Sequence, residues 1–198
     1  MTGVRPLSGL VLAGGQSRRM GTDKALLTIE GETLLDRAVS TLAEICAEVL
    51  VAAGPQRGLV VPNTRMVDDA AAGLGPLGGI VGGLEMAEHH LTAVLAVDHP
   101  YPNSAVFEAL LHLWGGEDVV APEVDGRAQP LHAIWARSAA PTLRAQLAGT
   151  HRSLRHAFAA LDVRTADYSV WGSRDPAGDF ALNVNRPEDF PRRSRRPR

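Results

Sequence analysis

The chain has 198 residues, of which 45% are hydrophobic and 21% charged, with a formal net charge of −2 and a single cysteine, Cys46. That is enough chain for one domain with a proper core, and one cysteine excludes an intrachain disulfide and a cysteine zinc cluster. Five arginines (Arg192, Arg193, Arg195, Arg196, Arg198) lie in the last eight residues, so the remainder carries −2 − 5 = −7, which argues against a nucleic-acid-binding body.

No stretch approaches 18 uninterrupted apolar residues, so no membrane span is expected. The first apolar run precedes its arginine pair, the reverse of an export signal, and the cytoplasm is the expected location. That run, Leu10-Val11-Leu12, reads as a strand stopped at Gly14-Gly15. Arg18, Arg19 and Lys24 follow on a loop too polar and glycine-rich to be helical. Backbone amides and cations converging after a buried strand suit a polyphosphate; a surface turn with solvated arginines is the other reading. The loop is not a P-loop, because Gly21 is followed by Thr22 and Asp23 before Lys24, and it lacks the dinucleotide glycine spacing.

Thr33 is placed to cap a helix running to about Ala47, with Leu34, Leu35, Ala38, Leu42 and Ile45 on one face. Residues 48–53 form a second strand, and strand–helix–strand spacing implies a βαβ unit in a parallel sheet. A third strand is expected within residues 59–67, leading to Asp68-Asp69. The glycines of GLGPLGG predict a loop, with a helix from Ile80 to Glu88. Residues 92–97, TAVLAV, are the clearest buried strand, ending in Asp98-His99-Pro100. A carboxylate just past a central parallel strand lies where open α/β sheets bind ligands, and it suits Mg²⁺. A turn-forming Asp before Pro is the alternative, and His99 is assigned to the loop or rim.

Residues 103–114 read as a helix and 119–122 as a strand. The Asp125-Gly126 pair in EVDGRAQPLHAIW signals a hairpin. Helices are expected at 141–147 and 153–160, the second flanked by Arg152 and Arg155. Asn183 and Asn185 alternate with Val184, which on extended chain turns both amides one way; local Asx turns would use them otherwise. Residues 1–190 are expected to form a single domain and 191–198 a basic, disordered tail.

LAGGQSRRMGTDKALL, residues 12–27, resembles the signature of the MobA-like nucleotidyltransferases, most closely the molybdenum cofactor guanylyltransferases. Further likenesses are an acid followed by GPLGG, Asp98-His99-Pro100 set against a Cys-Asp-x-Pro segment, Gln129-Pro130-Leu131, and NVNRPED. The chain departs from the family at Ala52-Ala53-Gly54, where many members carry asparagine. The resemblance implies a three-layer α/β/α Rossmann-like fold with a mostly parallel sheet. It implies transfer of GMP from GTP to molybdopterin, or Mo-molybdopterin, with release of pyrophosphate. Arg19 and Lys24 would meet the phosphates, and Leu12, Ala13, Gly14 and Gly15 would line the nucleotide. Asp69, or Asp68 with a one-residue gap, would be the nucleotide-side acid, and Asp98 would hold Mg²⁺. Asn183 and Asn185 would contact the acceptor or the metal's water shell. Gln129, Pro130 and His132 would stand on the acceptor side, unless they serve only the hairpin. Proteins that deliver molybdopterin or accept the product are implied partners. A cytidylyltransferase, another small-phosphate nucleotidyltransferase and a non-catalytic nucleotide-binding regulator stay open.

Overall fold

The computed structural model describes residues 6–14, 24–54, 61–71, 75–149 and 152–184. Gly15, Arg18, Arg19, Asn185 and the arginine-rich tail lie outside the described residues. β1 (Leu7–Leu12) is buried along its whole length. A 3₁₀ turn at Lys24–Leu26 leads to the hairpin strands β2 (Thr28–Ile29) and β3 (Glu32–Thr33). Glu30 and Gly31 both take positive φ there, as a two-residue hairpin turn requires. Thr33 then caps α1 (Leu34–Ala43), its hydroxyl accepting from the Asp36 amide at 3.0 Å. α1 stops at Ala43, short of the expected Ala47. The Ala47 amide already donates to Leu7 O at 2.9 Å, so the chain has joined the sheet before the apolar spacing ends.

The chain continues through β4 (Glu48–Ala52), β5 (Arg65–Val67), α2 (Pro76–Met86), β6 (Leu91–Ala96) and α3 (Ser104–Leu113), which Asn103 caps. β7 (Val119–Val124) turns at Asp125 and Gly126, both with positive φ, into β8 (Arg127–Ala128), as the Asp-Gly signal predicts. β9 (His132–Ala136), α4 (Ala140–Ala148) and α5 (Leu154–Phe158) follow. β10 (Val163–Ala166), α6 (Tyr168–Trp171) and a 3₁₀ turn at Asp179–Ala181 complete the described chain.

Among the described residues the main sheet runs β10-β7-β9-β6-β1-β4-β5, with β8 paired to β7. The β1–β4, β1–β6, β4–β5 and β7–β10 pairs are parallel, and β9 runs antiparallel to both β6 and β7. Alternation along the strands divides the core into two layers. Leu7 and Val11 of β1 join Leu34, Ala38 and Leu42 of α1, Val106 and Leu110 of α3, and Trp171 of α6 on one face. Leu10 and Leu12 join Leu77, Ile80 and Leu84 of α2 and Leu143 of α4 on the other. The fold is therefore three-layer α/β/α with a mostly parallel sheet. Because α1 and α2 cover opposite faces on either side of β1, a crevice opens at the carboxyl end of that strand.

α2 corrects one expectation: it begins at Pro76, not Ile80, so Gly78 and Gly79 are helical rather than loop. Glycine costs a helix about 1 kcal/mol per residue relative to alanine, and packing repays it here. A Cβ on Gly82 would stand 2.2 Å from Asp68 O, and one on Gly83 would stand 2.3 Å from Leu10 Cδ2. The helix can lie this close to the Asp68 carbonyl and to the Leu10 side chain only without side chains at those points. Gly82→Ala should therefore destabilise the protein by about 2–3 kcal/mol in urea denaturation, because the obstructing atom is backbone. Gly149→Ala, whose Cβ would meet only ordinary contacts at 3.5 Å and 3.7 Å, should stay within about 0.5 kcal/mol of the parent.

Candidate active site

Three parallel strands, β4, β1 and β6, end together. Past Leu12, the amides of Ala13 (2.9 Å) and Gly14 (3.0 Å) both donate to Ala52 O, and the Val97 amide donates to Leu12 O at 3.1 Å. A Cβ on Gly14 would lie 3.0 Å from Gly54 N and 3.1 Å from the Ala53 carbonyl carbon, so a glycine is needed for the two strand ends to meet. With both amides engaged, this turn can offer a ligand carbonyl oxygens rather than N–H groups. Any phosphate-binding amides of the loop belong to residues 15–23, outside the described residues.

The two candidate acids separate cleanly. Asp68 is exposed, and its carbonyl backs onto Gly82. Asp69 is half-buried, with its carboxylate over the strand ends. A Cβ built on Gly54 would be 3.4 Å from Asp69 Oδ2, and one on Gly79 would be 3.4 Å from Oδ1. Burial and then the neighbouring Asp68 charge raise the Asp69 pKa above the ordinary carboxylate value; a hydrogen bond from the Gly54 amide works against them. Of the pair, Asp69 faces Gly54 and Gly79.

Asp98 follows β6 and is partly buried. Its Oδ2 lies 3.7 Å from Lys24 Nζ, at the start of the 3₁₀ turn. Its Oδ1 is buried without a hydrogen-bond partner among the described residues. A carboxylate oxygen out of water and without a donor is unfavourable, by about 1–3 kcal/mol or more for a charged group. Mg²⁺ prefers such hard oxygen ligands, and it needs only one or two carboxylates when substrate phosphates and water complete the shell. The donor set therefore fits Mg²⁺, although among the described residues no group of three or more His, Cys, Asp or Glu side chains forms a metal cluster.

The structure revises two histidines. His99 lies in the loop after β6, as expected, but not on the rim: it is 2% exposed, and its Nδ1 lies 2.9 Å from Phe180 O, to which it must donate because a carbonyl only accepts. Burial lowers its pKa, against the opposing pull of the Asp98 charge and the Phe180 bond. His132 is wholly buried, so it cannot present itself to an acceptor. Its ring stacks on Phe107 at 3.9 Å between centroids, and its Nε2 accepts from the Asn103 amide at 3.4 Å. Burial and then His99 keep its pKa well below the usual value. Gln129 donates to Arg127 O at 3.1 Å within the hairpin, and Arg152 donates to Gly149 O at 2.8 Å, both local contacts.

The C-terminal segment does come to the site. The Val184 amide donates to Asp98 O at 2.9 Å; Val184 is buried and Asn183 exposed beside it. The sequence reading missed how this segment is anchored. Phe180 is buried against His132 and Trp171, with ring centroids 4.8 Å and 5.1 Å away. The Asp167-Tyr168 cap that starts α6 was the local signal available for the Trp171 side of this cage. The long-range pairing had none.

The MobA-like NTP transferase domain model matches residues 9–165. A protein of Opitutus terrae described as a "Probable molybdenum cofactor guanylyltransferase" is 38% identical over 195 residues, covering 96% of each chain. One of Chloroflexus aggregans with the same description is 36% identical over 190 residues, covering 93% of this chain and 91% of the other. In fold, the chain resembles the crystal structure of molybdopterin-guanine dinucleotide biosynthesis protein A from Archaeoglobus fulgidus, with a TM-score of 0.78 and 23% identity over 92% of this chain and 94% of that one. The strand-end crevice, the Lys24–Asp98 pair and these likenesses agree: the chain belongs to the MobA-like NTP transferase family and is a nucleotidyltransferase.

Proposed function

We propose that this enzyme transfers GMP from GTP to the terminal phosphate of molybdopterin or its molybdenum-loaded form. An oxygen of that phosphate attacks the α-phosphorus of GTP in line. The bond from the α-phosphorus to the oxygen bridging it to the β-phosphorus breaks, and pyrophosphate leaves with that electron pair. The observation carrying the reading is Asp98, with a buried oxygen that has no hydrogen-bond partner among the described residues and with Lys24 3.7 Å from its other oxygen, at the end of a central parallel strand. The names of the two relatives support the acceptor and the nucleotide.

The nucleophile is already anionic, so no strong general base is required. The barrier lies in bringing two anions together and in the charge on the departing pyrophosphate, so positioning and electrostatics should dominate. Lys24 and Arg19 are assigned to the phosphates, and Asp98 to Mg²⁺, which when bound supplies positive charge beside the polyphosphate. Asn183 and Asn185 are assigned to the acceptor or the metal's waters. The guanine Watson–Crick edge presents N–H donors at N1 and N2. Asp69 and the carbonyls of the Ala13-Gly14 turn are acceptors, which supports GTP over CTP, whose cytosine edge presents two acceptors and one donor.

Pyrophosphate release from GTP, CTP, ATP and UTP, with Mg²⁺ and molybdopterin, tests this directly. Release confined to GTP and dependent on molybdopterin is expected. A CTP preference would reassign the enzyme as a cytidylyltransferase, and silence with every nucleotide would overturn the acceptor. Lys24→Ala and Asp98→Ala should each lower turnover roughly a hundredfold or more with an intact fold by circular dichroism, the scale on which lost preorganised charge acts. Near-parental turnover in either variant refutes its assignment.

Asp69 links site and stability. Its folded pKa is raised, so folding favours the protonated form. The stability it contributes is present below the unfolded value of about 3.9 and is lost as pH climbs through the folded pKa. Asp69→Asn should therefore raise the melting temperature at pH 7, with the difference shrinking towards pH 4. The same variant should weaken GTP binding by about tenfold, as isothermal titration would measure.

A further inference from the structure

The reaction makes no use of His99, yet this imidazole is 2% exposed. His132 lies edge-on to it at 6.1 Å between centroids, with Phe107 and Phe180 packed on His132. A hydrophobic side chain would fill such a place at lower desolvation cost. The imidazole's one described hydrogen bond reaches Phe180 O, 81 residues away in sequence. The next tie along that segment is the Val184 amide on Asp98 O. Consecutive residues, Asp98 and His99, thus fasten both ends of residues 180–184. Between those ends Leu182 and Asn183 are exposed. Phe180 is held from behind as well, its amide donating to Asp175 Oδ2 at 2.9 Å.

We propose that His99 is a positioning residue. Its Nδ1–H bond to Phe180 O and the adjoining Asp98–Val184 bond clasp the 180–184 segment to the end of β6 and set where Asn183 stands relative to Asp98. The group so positioned acts on the acceptor side, which rests on the function proposed above. A leucine at 99 would leave Phe180 O without its donor, loosening the segment at its Phe180 end, where the bond to Asp175 remains, while β6 and the nucleotide side stay in place. Asparagine carries its amide nitrogen close to the position of Nδ1 and would restore the bond.

Two readouts test this on the full-length protein. In steady-state assays, His99→Leu should raise KM for molybdopterin about five- to tenfold, the effect of one buried hydrogen bond. KM for GTP should stay within about twofold, and His99→Asn should recover most of the loss. In amide hydrogen exchange without substrates, the Val184 amide should exchange about tenfold faster in His99→Leu, and at close to the parental rate in His99→Asn, with β1 and β4 unchanged. If His99→Leu does not fold, His99→Gln takes its place, because its longer side chain carries the amide to the Nε2 position instead.

Equal rises in both KM values, no recovery with asparagine, or unchanged Val184 exchange would each overturn the clasp. Parental protein inactive with GTP and molybdopterin would defeat the proposed function instead. The exchange experiment would then still decide the clasp by itself.

Discussion

The structure depends on how closely its strand ends can approach one another. A single carbonyl, Ala52 O, receives the amides of both Ala13 and Gly14, and Leu12 O receives Val97. These bonds draw β4, β1 and β6 to one edge, and they are possible because no side chain stands at Gly14. The same economy recurs on the covering layer, where Gly82 and Gly83 let α2 lie against Asp68 O and Leu10. Small residues here hold polar groups at short range around a crevice. Without them the acids and cations would sit on separate loops in water, where charge has little effect.

Within that crevice the electrostatics are unfavourable to the free protein and suited to an anionic, metal-bearing ligand. Asp69 is held above its ordinary pKa by burial and by Asp68. Asp98 keeps one oxygen out of water without a partner among the described residues, while Lys24 faces the other. Such arrangements lower stability locally and are typical of sites organised for charge that arrives with the substrate. The network at the opposite end of the sheet behaves differently. Ser8 donates to Glu48 at 2.7 Å, Arg65 donates to the same carboxylate at 2.8 Å, and the Glu88 amide donates to it at 2.6 Å. There both oxygens of the Glu48 carboxylate already have donors.

β9 shows why the crevice is walled on one side. Inserted antiparallel between β6 and β7, it brings the loop before it back across the end of β6, where the Ala96 amide donates to Leu131 O at 2.9 Å. The residues resembling the family's Gln-Pro-Leu segment thus meet the end of β6 through the backbone of Leu131. The imidazole that follows them, His132, turns inward and becomes core.

The sequence by itself determined most of the elements as far as α5 and the edge at which the chemistry gathers, but it carried no reading of β10 or α6. Its apolar runs, the Thr33 cap, the Asp-Gly turn and the carboxylate after β6 are local signals, each written in a few adjacent residues, and the family likeness rests on similarly short stretches. Tertiary structure alone decided which acid of the Asp68-Asp69 pair turns inward, because that depends on how near α2 can come. It decided that α2 begins at Pro76, since glycines that look like loop residues in isolation are tolerated where close packing rewards them. It also decided that His99 and His132 are buried, and that His99 meets Phe180 81 residues later. Burial is a property of what folds over a residue, and nothing adjacent to His99 in the chain encodes the distant carbonyl that accepts its hydrogen bond.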